Sequence, residues 1–263
     1  MYSKQVMYCV WTVLVFLCIL PSIRSSLVNK LALLIWMAII AAVGAVQTFH
    51  ELFWNGNGSM YSFSKKFGLF CYYVLVPLEA NIVLYQIHQL MKQLEVDVKA
   101  WTMYPKRIWL YLLCLGFNLV WNVYINPYIY VQSELWYVVS FVLSAIIWPL
   151  PLLGADLIIG CFASQFCQQV KDSIGVESLE TVNMLYVPIL SQYKAAKESM
   201  EYLLLAVFSI ESIQLTNSGY SIAKSPNFSY ISIFLYIMLH LSYISLVLDD
   251  CCSLLKSILP RLR

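Results

Sequence analysis

Charged side chains are scarce in this sequence. Of its 263 residues only 11% are Asp, Glu, Lys or Arg, whereas 61% are hydrophobic. A soluble domain of this length needs more charged side chains to cover its surface. The composition therefore excludes an ordinary soluble domain and indicates a membrane protein. The lipid bilayer is then one of its expected partners.

Residues of the common catalytic and metal sites are also few. The chain has three histidines, and they form no cluster with Cys or carboxylates at metal-ligand spacing. A Gly-rich phosphate loop and a nucleophile elbow are both absent from the sequence. We therefore predict no enzyme, no metal site and no cofactor. The net charge of +2 is explained by membrane anchoring, so no nucleic-acid partner is expected.

Eight cysteines lie within apolar segments or near their ends, and they imply no disulfide framework. The favoured interpretation is that they are small apolar residues in helix contacts. Palmitoylation of Cys251 and Cys252 is a weaker alternative.

Apolar stretches of about 20 residues, the length that crosses a bilayer as a helix, recur along the chain. They predict an all-α, polytopic transmembrane helical bundle with six or seven spans, forming one receptor-like domain over residues 1–263. Two interpretations of the first stretch stay open, because it either crosses or is a signal-like segment that leaves six spans. The fifth exceeds the bilayer and is predicted to tilt or to continue into water. The spans lie near 6–23, 31–49, 67–88, 108–130, 136–167, 202–220 and 230–248.

Basic residues decide the predicted orientation, because cytoplasmic loops collect Lys and Arg. One set of alternate loops, with the C-terminus, carries Arg24, Lys30, Lys92, Lys99, Lys106, Arg107, Lys171, Lys194, Lys197, Lys256, Arg261 and Arg263. The other set, with the N-terminus, carries Lys4, Lys65, Lys66 and Lys224. We therefore predict a multi-pass plasma-membrane protein whose C-terminus and 168–200 stretch are cytoplasmic.

Two glycosylation sequons agree with this orientation. Asn57 begins an Asn-Gly-Ser tripeptide and Asn227 an Asn-Phe-Ser tripeptide, and both lie in loops predicted to be outside. Such tripeptides also arise by chance, so they add little weight.

Ionisable residues inside predicted spans are costly and mark functional positions or helix contacts. Glu79 follows Pro77 in the third span, which predicts an irregular, protein-facing position. Glu211, Gln214 and Ser218 form a polar stripe on one helix face, either beside an aqueous pocket or between helices. Asp156 is predicted to lie at a solvated helix end near the cytoplasmic boundary.

Aromatic residues make up 15% of the chain. Most are explained by anchoring at the membrane interfaces or by packing. Some lie in the outward halves of the spans, where they are candidates for the wall of a small-molecule pocket. Together with the polar residues, the candidate ligand contacts are Tyr72, Glu79, Trp121, Tyr124, Trp148, Glu211, Gln214 and Tyr236.

The stretch 168–200 is predicted to be helical, interrupted at Pro188, and to run directly into the sixth span. Three segments here and in the sixth span carry a family resemblance: Leu185-Tyr186-Val187-Pro188-Ile189-Leu190-Ser191-Gln192-Tyr193, then Lys197-Glu198-Ser199, and later Leu215-Thr216-Asn217-Ser218-Gly219-Tyr220. Together they resemble the insect gustatory receptor family. The resemblance covers most of the chain on degenerate, hydrophobic motifs. It departs at the end, since the family's last helix, with Thr-Tyr, five residues and Gln-Phe, has no counterpart before Arg263.

The resemblance implies a taste receptor subunit of the ligand-gated cation channel type, in a homo- or hetero-tetramer, with a small-molecule tastant as ligand. It also implies a shortened chain, which leaves open a non-conducting modulatory subunit. A seven-span receptor coupled to a cytoplasmic transducer is the alternative from another class, although no Asp-Arg-Tyr-like step follows its third crossing helix. A small transporter would show internal repeats, and none is evident.

Overall fold

The helical architecture comes from a computed structural model, which describes residues 2–21, 26–50, 67–68, 70–93, 112–113, 115–117, 120, 135–174, 179–224, 226 and 228–258. These residues contain helices and turns but no strand, in agreement with the predicted all-α class. The helices are α1 (Tyr2–Phe16), α2 (Ser26–Phe49), a π-helical turn (Cys71–Leu75) that continues into α3 (Val76–Gln93), α4 (Leu135–Ile147), α5 (Pro149–Ile174), α6 (Leu179–Lys224) and α7 (Phe228–Ile258).

Three helical stretches within the described ranges are long and apolar enough to cross a membrane. They are Leu27–Phe49, Val138–Gln169 and Tyr230–Ser253, and they coincide with the second, fifth and seventh predicted spans. The third and sixth predicted spans are helical, as parts of the π-helical turn with α3 and of α6. Most of the fourth, 108–130, lies outside the described residues.

The outer surface of α2 is apolar. Leu31, Leu34 and Ile35 are each at least half exposed, on a helix of which only 22% is buried. Contact of these side chains with water would be unfavourable, whereas lipid chains are as apolar as leucine. This surface is that of a membrane protein.

The core is centred on α5. Every residue from 151 to 161 is buried, and α5 packs against α3, α6 and α7, while α2 packs on α3 and α4. A helix that is apolar on all sides belongs in a protein core or across a membrane, and α5 is surrounded by other helices. The polar side chains that α5 carries therefore have to find partners on its neighbours.

The helix inside the first predicted span ends at Phe16, well before residue 23. Cys18 adopts a left-handed conformation with φ of 58°. The amide of Cys18 donates to the Val15 carbonyl at 3.0 Å and that of Ile19 to the Leu14 carbonyl at 2.9 Å, which is the Schellman arrangement of a helix end. Ile19 and Leu20 are then fully buried.

The fifth predicted span is interrupted at Trp148, where α4 ends and α5 begins. Pro149 lacks an amide hydrogen and suits the first position of a helix, so a new helix starts there. The reverse holds at Pro188, where an interruption was predicted: α6 continues through it as one helix of 46 residues.

The π-helical turn before Pro77 has a clear cause. Proline cannot donate to the carbonyl of Tyr73, four residues earlier. The Thr48 hydroxyl of α2 reaches that carbonyl at 3.5 Å while donating at 2.8 Å to the Gly44 carbonyl. Gly44 permits this approach, because a Cβ at its position would lie 2.8 Å from Pro77 Cγ. The predicted irregularity beside Glu79 is confirmed.

Candidate functional site

A carboxyl–imidazole–carboxyl cluster joins α5, α6 and α7 in the core. His240 Nε2 lies 2.9 Å from Asp156 Oδ1, and His240 Nδ1 lies 2.5 Å from Glu211 Oε1. All three side chains are at most 2% exposed. The Tyr243 hydroxyl adds a 3.4 Å contact to the Asp156 carbonyl oxygen. The cluster therefore holds three long helices together through polar contacts.

The two imidazole contacts require at least two protons in the cluster, because each short contact between an imidazole nitrogen and a carboxyl oxygen needs one. These protons reside either on an imidazolium between two carboxylates, or on a neutral imidazole with one protonated carboxyl. With two protons, Asp156, His240 and Glu211 together carry one negative charge, and a third proton on Glu211 Oε2 would make the cluster neutral.

A second carboxyl lies beside the cluster. The Gln214 amide of α6 donates to Glu79 Oε2 of α3 at 3.1 Å, and Glu79 is 1% exposed. The protein-facing position predicted for Glu79 is thus confirmed. Gln214 lies three residues after Glu211 on the same helix face, so α6 presents both side chains to the same region.

These groups border a cavity of about 80 Å³. It lies between the π-helical turn and α3 on one side and the ends of α4 and α5, α6 and α7 on the others. Its lining combines aromatic, aliphatic and acidic side chains: Tyr72, Val76, Glu79, Leu115, Ser144, Ala145, Trp148, Pro149, Leu152, Glu211, Gln214 and Tyr236. A mostly apolar wall with a few convergent polar groups is typical of a small-molecule site.

The aromatic side chains of the cavity wall contact one another and the His240 imidazole. The rings of Tyr72 and Trp148 meet edge to face, with centroids 5.7 Å apart and planes at 71°. The Tyr236 ring stacks nearly parallel to the His240 imidazole at 10°, one helical turn away. Ser144, also in the lining, accepts from the Gln47 amide at 2.8 Å and donates to the Phe141 carbonyl at 2.7 Å. These contacts connect residues of the cavity wall to one another and to α2.

The structure brings together six of the eight ligand contacts predicted from the sequence. Tyr72, Glu79, Trp148, Glu211, Gln214 and Tyr236 all line this one cavity. Trp121 and Tyr124 lie outside the described residues, as do the sequons at Asn57 and Asn227. Ser218, the third member of the predicted stripe, donates instead to the Gln214 and Leu215 carbonyls of its own helix.

Two residues of the site differ from the sequence interpretation. Asp156 was predicted at a solvated helix end, and this is wrong, because it is 0% exposed and bonded to His240. His240 was not identified at all. The sequence does contain a feature that points to it, because His240, like Glu79 and Glu211, is an ionisable residue near the middle of an apolar span.

Among the described residues, no group of three or more His, Cys, Asp or Glu side chains is arranged to hold a metal ion. His240 illustrates the reason, since both of its ring nitrogens already contact carboxyl oxygens. The cluster's chemistry is therefore that of hydrogen bonds and charge.

No protein-family model, curated protein or solved structure matches the chain.

Proposed function

We propose that the protein is a chemosensory receptor subunit of the plasma membrane that binds a small organic molecule in the cavity between α3, α5, α6 and α7. The observation that carries the proposal is the cavity itself. Candidate contacts from separate predicted spans converge on it, and they include buried acidic groups that are costly inside a membrane protein. The resemblance to insect gustatory receptors supports the same function.

The cavity's position suits signalling. Its walls include α3, α4, α5, α6 and α7. Four of these helices, α3, α5, α6 and α7, are joined by the Glu79–Gln214 and Asp156–His240–Glu211 contacts. A ligand that binds one arrangement of these helices more tightly than another shifts the balance between them. In a ligand-gated cation channel of the type that the resemblance implies, such a shift would open the pore of a homo- or hetero-tetramer.

A cavity-filling substitution tests this function. Ala145→Phe places a large ring in the cavity, so we expect it to abolish responses to small organic tastants. Ala42→Phe is the matched control, because Ala42 is exposed on α2. Whole-cell current would be recorded from cells expressing the chain, alone or with a second receptor subunit, across a tastant panel. A concentration-dependent response that survives Ala145→Phe at normal surface expression would contradict the proposal.

The proposed orientation has its own test. Because the basic residues segregate, the C-terminus should face the cytoplasm. An epitope tag at the C-terminus should be stained by antibody only after permeabilisation, whereas a tag in the 51–66 segment, beside Asn57, should be stained on intact cells. Staining of the C-terminal tag on intact cells would reverse the proposed orientation.

A further inference from the structure

We infer that the ligand is a small protonated amino alcohol, with an ammonium group at one end and a hydroxyl oxygen at the other. This inference rests on the proposed function, since it names the chemical class of ligand for the same cavity. It starts from three buried polar atoms of lining residues that have no hydrogen-bond partner among the described residues: Glu79 Oε1, Glu211 Oε2 and Trp148 Nε1.

The two carboxyl oxygens call for a cationic donor. Glu79 and Glu211 are each 1% exposed, and a buried acceptor left without a donor is unfavourable. With two protons the cluster around His240 carries one negative charge, and the described lining contains no Lys or Arg to balance it. An ammonium group supplies three donors and one positive charge, and its hydrogen bonds to carboxylates are among the strongest available.

The aromatic wall favours an organic cation over an inorganic one. Tyr72, Trp148 and Tyr236 line the cavity, and aromatic faces attract ammonium groups while their apolar surface accommodates methylene groups. Inorganic cations such as Ca²⁺ take six or more oxygen ligands. The aromatic and aliphatic lining does not provide such a shell.

Trp148 requires a hydrogen-bond acceptor on the ligand. Its indole Nε1–H is a donor only, it is buried, and it has no hydrogen-bond partner among the described residues. An ammonium group has no acceptor to offer. The ligand therefore needs an oxygen acceptor as well, and a hydroxyl or ether oxygen is compatible with an otherwise apolar surrounding.

The cavity's volume sets the size of the molecule. At about 80 Å³ it is smaller than a cavity of roughly 150 Å³ that holds benzene. A short molecule of a few non-hydrogen atoms suits this volume. Ethanolamine meets all three requirements, since it carries a protonated amine at neutral pH, a hydroxyl oxygen and two methylene groups between them.

Binding of size-matched compounds tests the inference. Ethanolamine, propylamine, ethylene glycol and 1-propanol have the same number of non-hydrogen atoms but differ in the two end groups. Each would be titrated into the purified full chain in lipid nanodiscs at neutral pH, and the dissociation constant taken from the ligand-dependent rise in melting temperature. We expect ethanolamine to bind about tenfold more tightly than propylamine and on the order of a hundredfold more tightly than the two alcohols.

Two variants test which residues cause the expected differences in affinity between the four compounds. Trp148→Phe should make ethanolamine and propylamine bind equally, because the indole donor is gone. Glu79→Gln should weaken both amines by about tenfold or more and leave the alcohols unchanged. The wild-type titrations need no variant, so they test the inference even if a variant folds poorly.

Different results would overturn the amino-alcohol inference and the proposed small-molecule site. If all four compounds bind equally, or the alcohols bind best, the amino-alcohol inference is overturned while the proposed small-molecule site stands. If ethanolamine binds but Ala145→Phe leaves its dissociation constant unchanged, the ligand sits elsewhere and both proposals fail for this cavity. A wild-type chain that binds ethanolamine no more tightly than propylamine would overturn the role of Trp148.

Discussion

Replacing His240 with leucine is expected to destabilise the folded protein by about 3–5 kcal/mol. The imidazole lies between Asp156 and Glu211, with both carboxyls within hydrogen-bond distance. Without it, the carboxyl groups of Asp156 on α5 and Glu211 on α6 remain buried and lose the imidazole that contacts both of them. The free energy of unfolding, measured in mixed detergent micelles, would report the loss.

A triple variant separates the effect of uncompensated carboxyl groups on stability from the effect of lost packing. In His240→Leu with Asp156→Asn and Glu211→Gln, no carboxyl is left uncompensated, so we expect most of the lost stability to return. Tyr243→Phe, on the same helix, is the control, because it removes a hydroxyl that donates to a carbonyl oxygen at 3.4 Å and leaves the charged groups of the cluster in place. If His240→Leu costs no more than Tyr243→Phe, the cluster does not hold the three helices together.

Substitution of Gly44 by alanine is expected to destabilise the protein by about 1–3 kcal/mol. The new Cβ would lie 2.8 Å from Pro77 Cγ and 3.2 Å from Pro77 Cβ. A proline ring cannot rotate away, so α2 or the π-helical turn must shift. This loss should exceed the gain of about 1 kcal/mol that alanine brings to a helix.

Gly219 provides the matched control on another helix. A Cβ there would lie 3.5 Å from Phe234 Cε2, which is an ordinary van der Waals distance. Gly219→Ala should therefore be neutral or stabilising by up to about 1 kcal/mol. Equal effects of Gly44→Ala and Gly219→Ala on the melting temperature would contradict the close packing of α2 against Pro77.

Much of the site could be predicted from residue type and position. Inside an apolar span, a polar or ionisable side chain stands out against its neighbours, which identified Glu79, Glu211 and Gln214. Helical periodicity then placed the last two on one face. Pro77 pointed to the local irregularity, because a missing amide hydrogen has a fixed consequence four residues earlier.

The pairing of side chains across helices could not be predicted from the sequence. His240 contacts Glu211, 29 positions away, and Asp156, 84 positions away, and no local pattern encodes either distance. The prediction for Asp156 was wrong because distance along an apolar stretch does not show which residues neighbouring helices cover. In the fold, α3, α6 and α7 pack around α5, and they bury Asp156.

The prediction of an interruption at Pro188 was wrong for a related reason. Pro188 is accommodated within α6, whereas Pro149, for which no prediction was made, begins a new helix. Both lack the same amide hydrogen, but whether neighbouring groups compensate for it depends on packing that the sequence does not display. The length of α1 shows a similar limit, since its end depends on a backbone turn at Cys18 that few residues other than glycine adopt.

The most direct measurement is the rate at which charged thiol reagents modify a cysteine placed in the cavity wall. Ala145→Cys would be introduced into a chain whose native cysteines are replaced by alanine, and small methanethiosulfonate reagents with a positive or a negative charge would be compared. We predict modification by the cationic reagent on the order of tenfold faster than by the anionic one, slowed by ethanolamine, with Ala155→Cys in the core unreactive. Equal rates for the two reagents, or no protection by ethanolamine, would contradict a cation-binding cavity at this position.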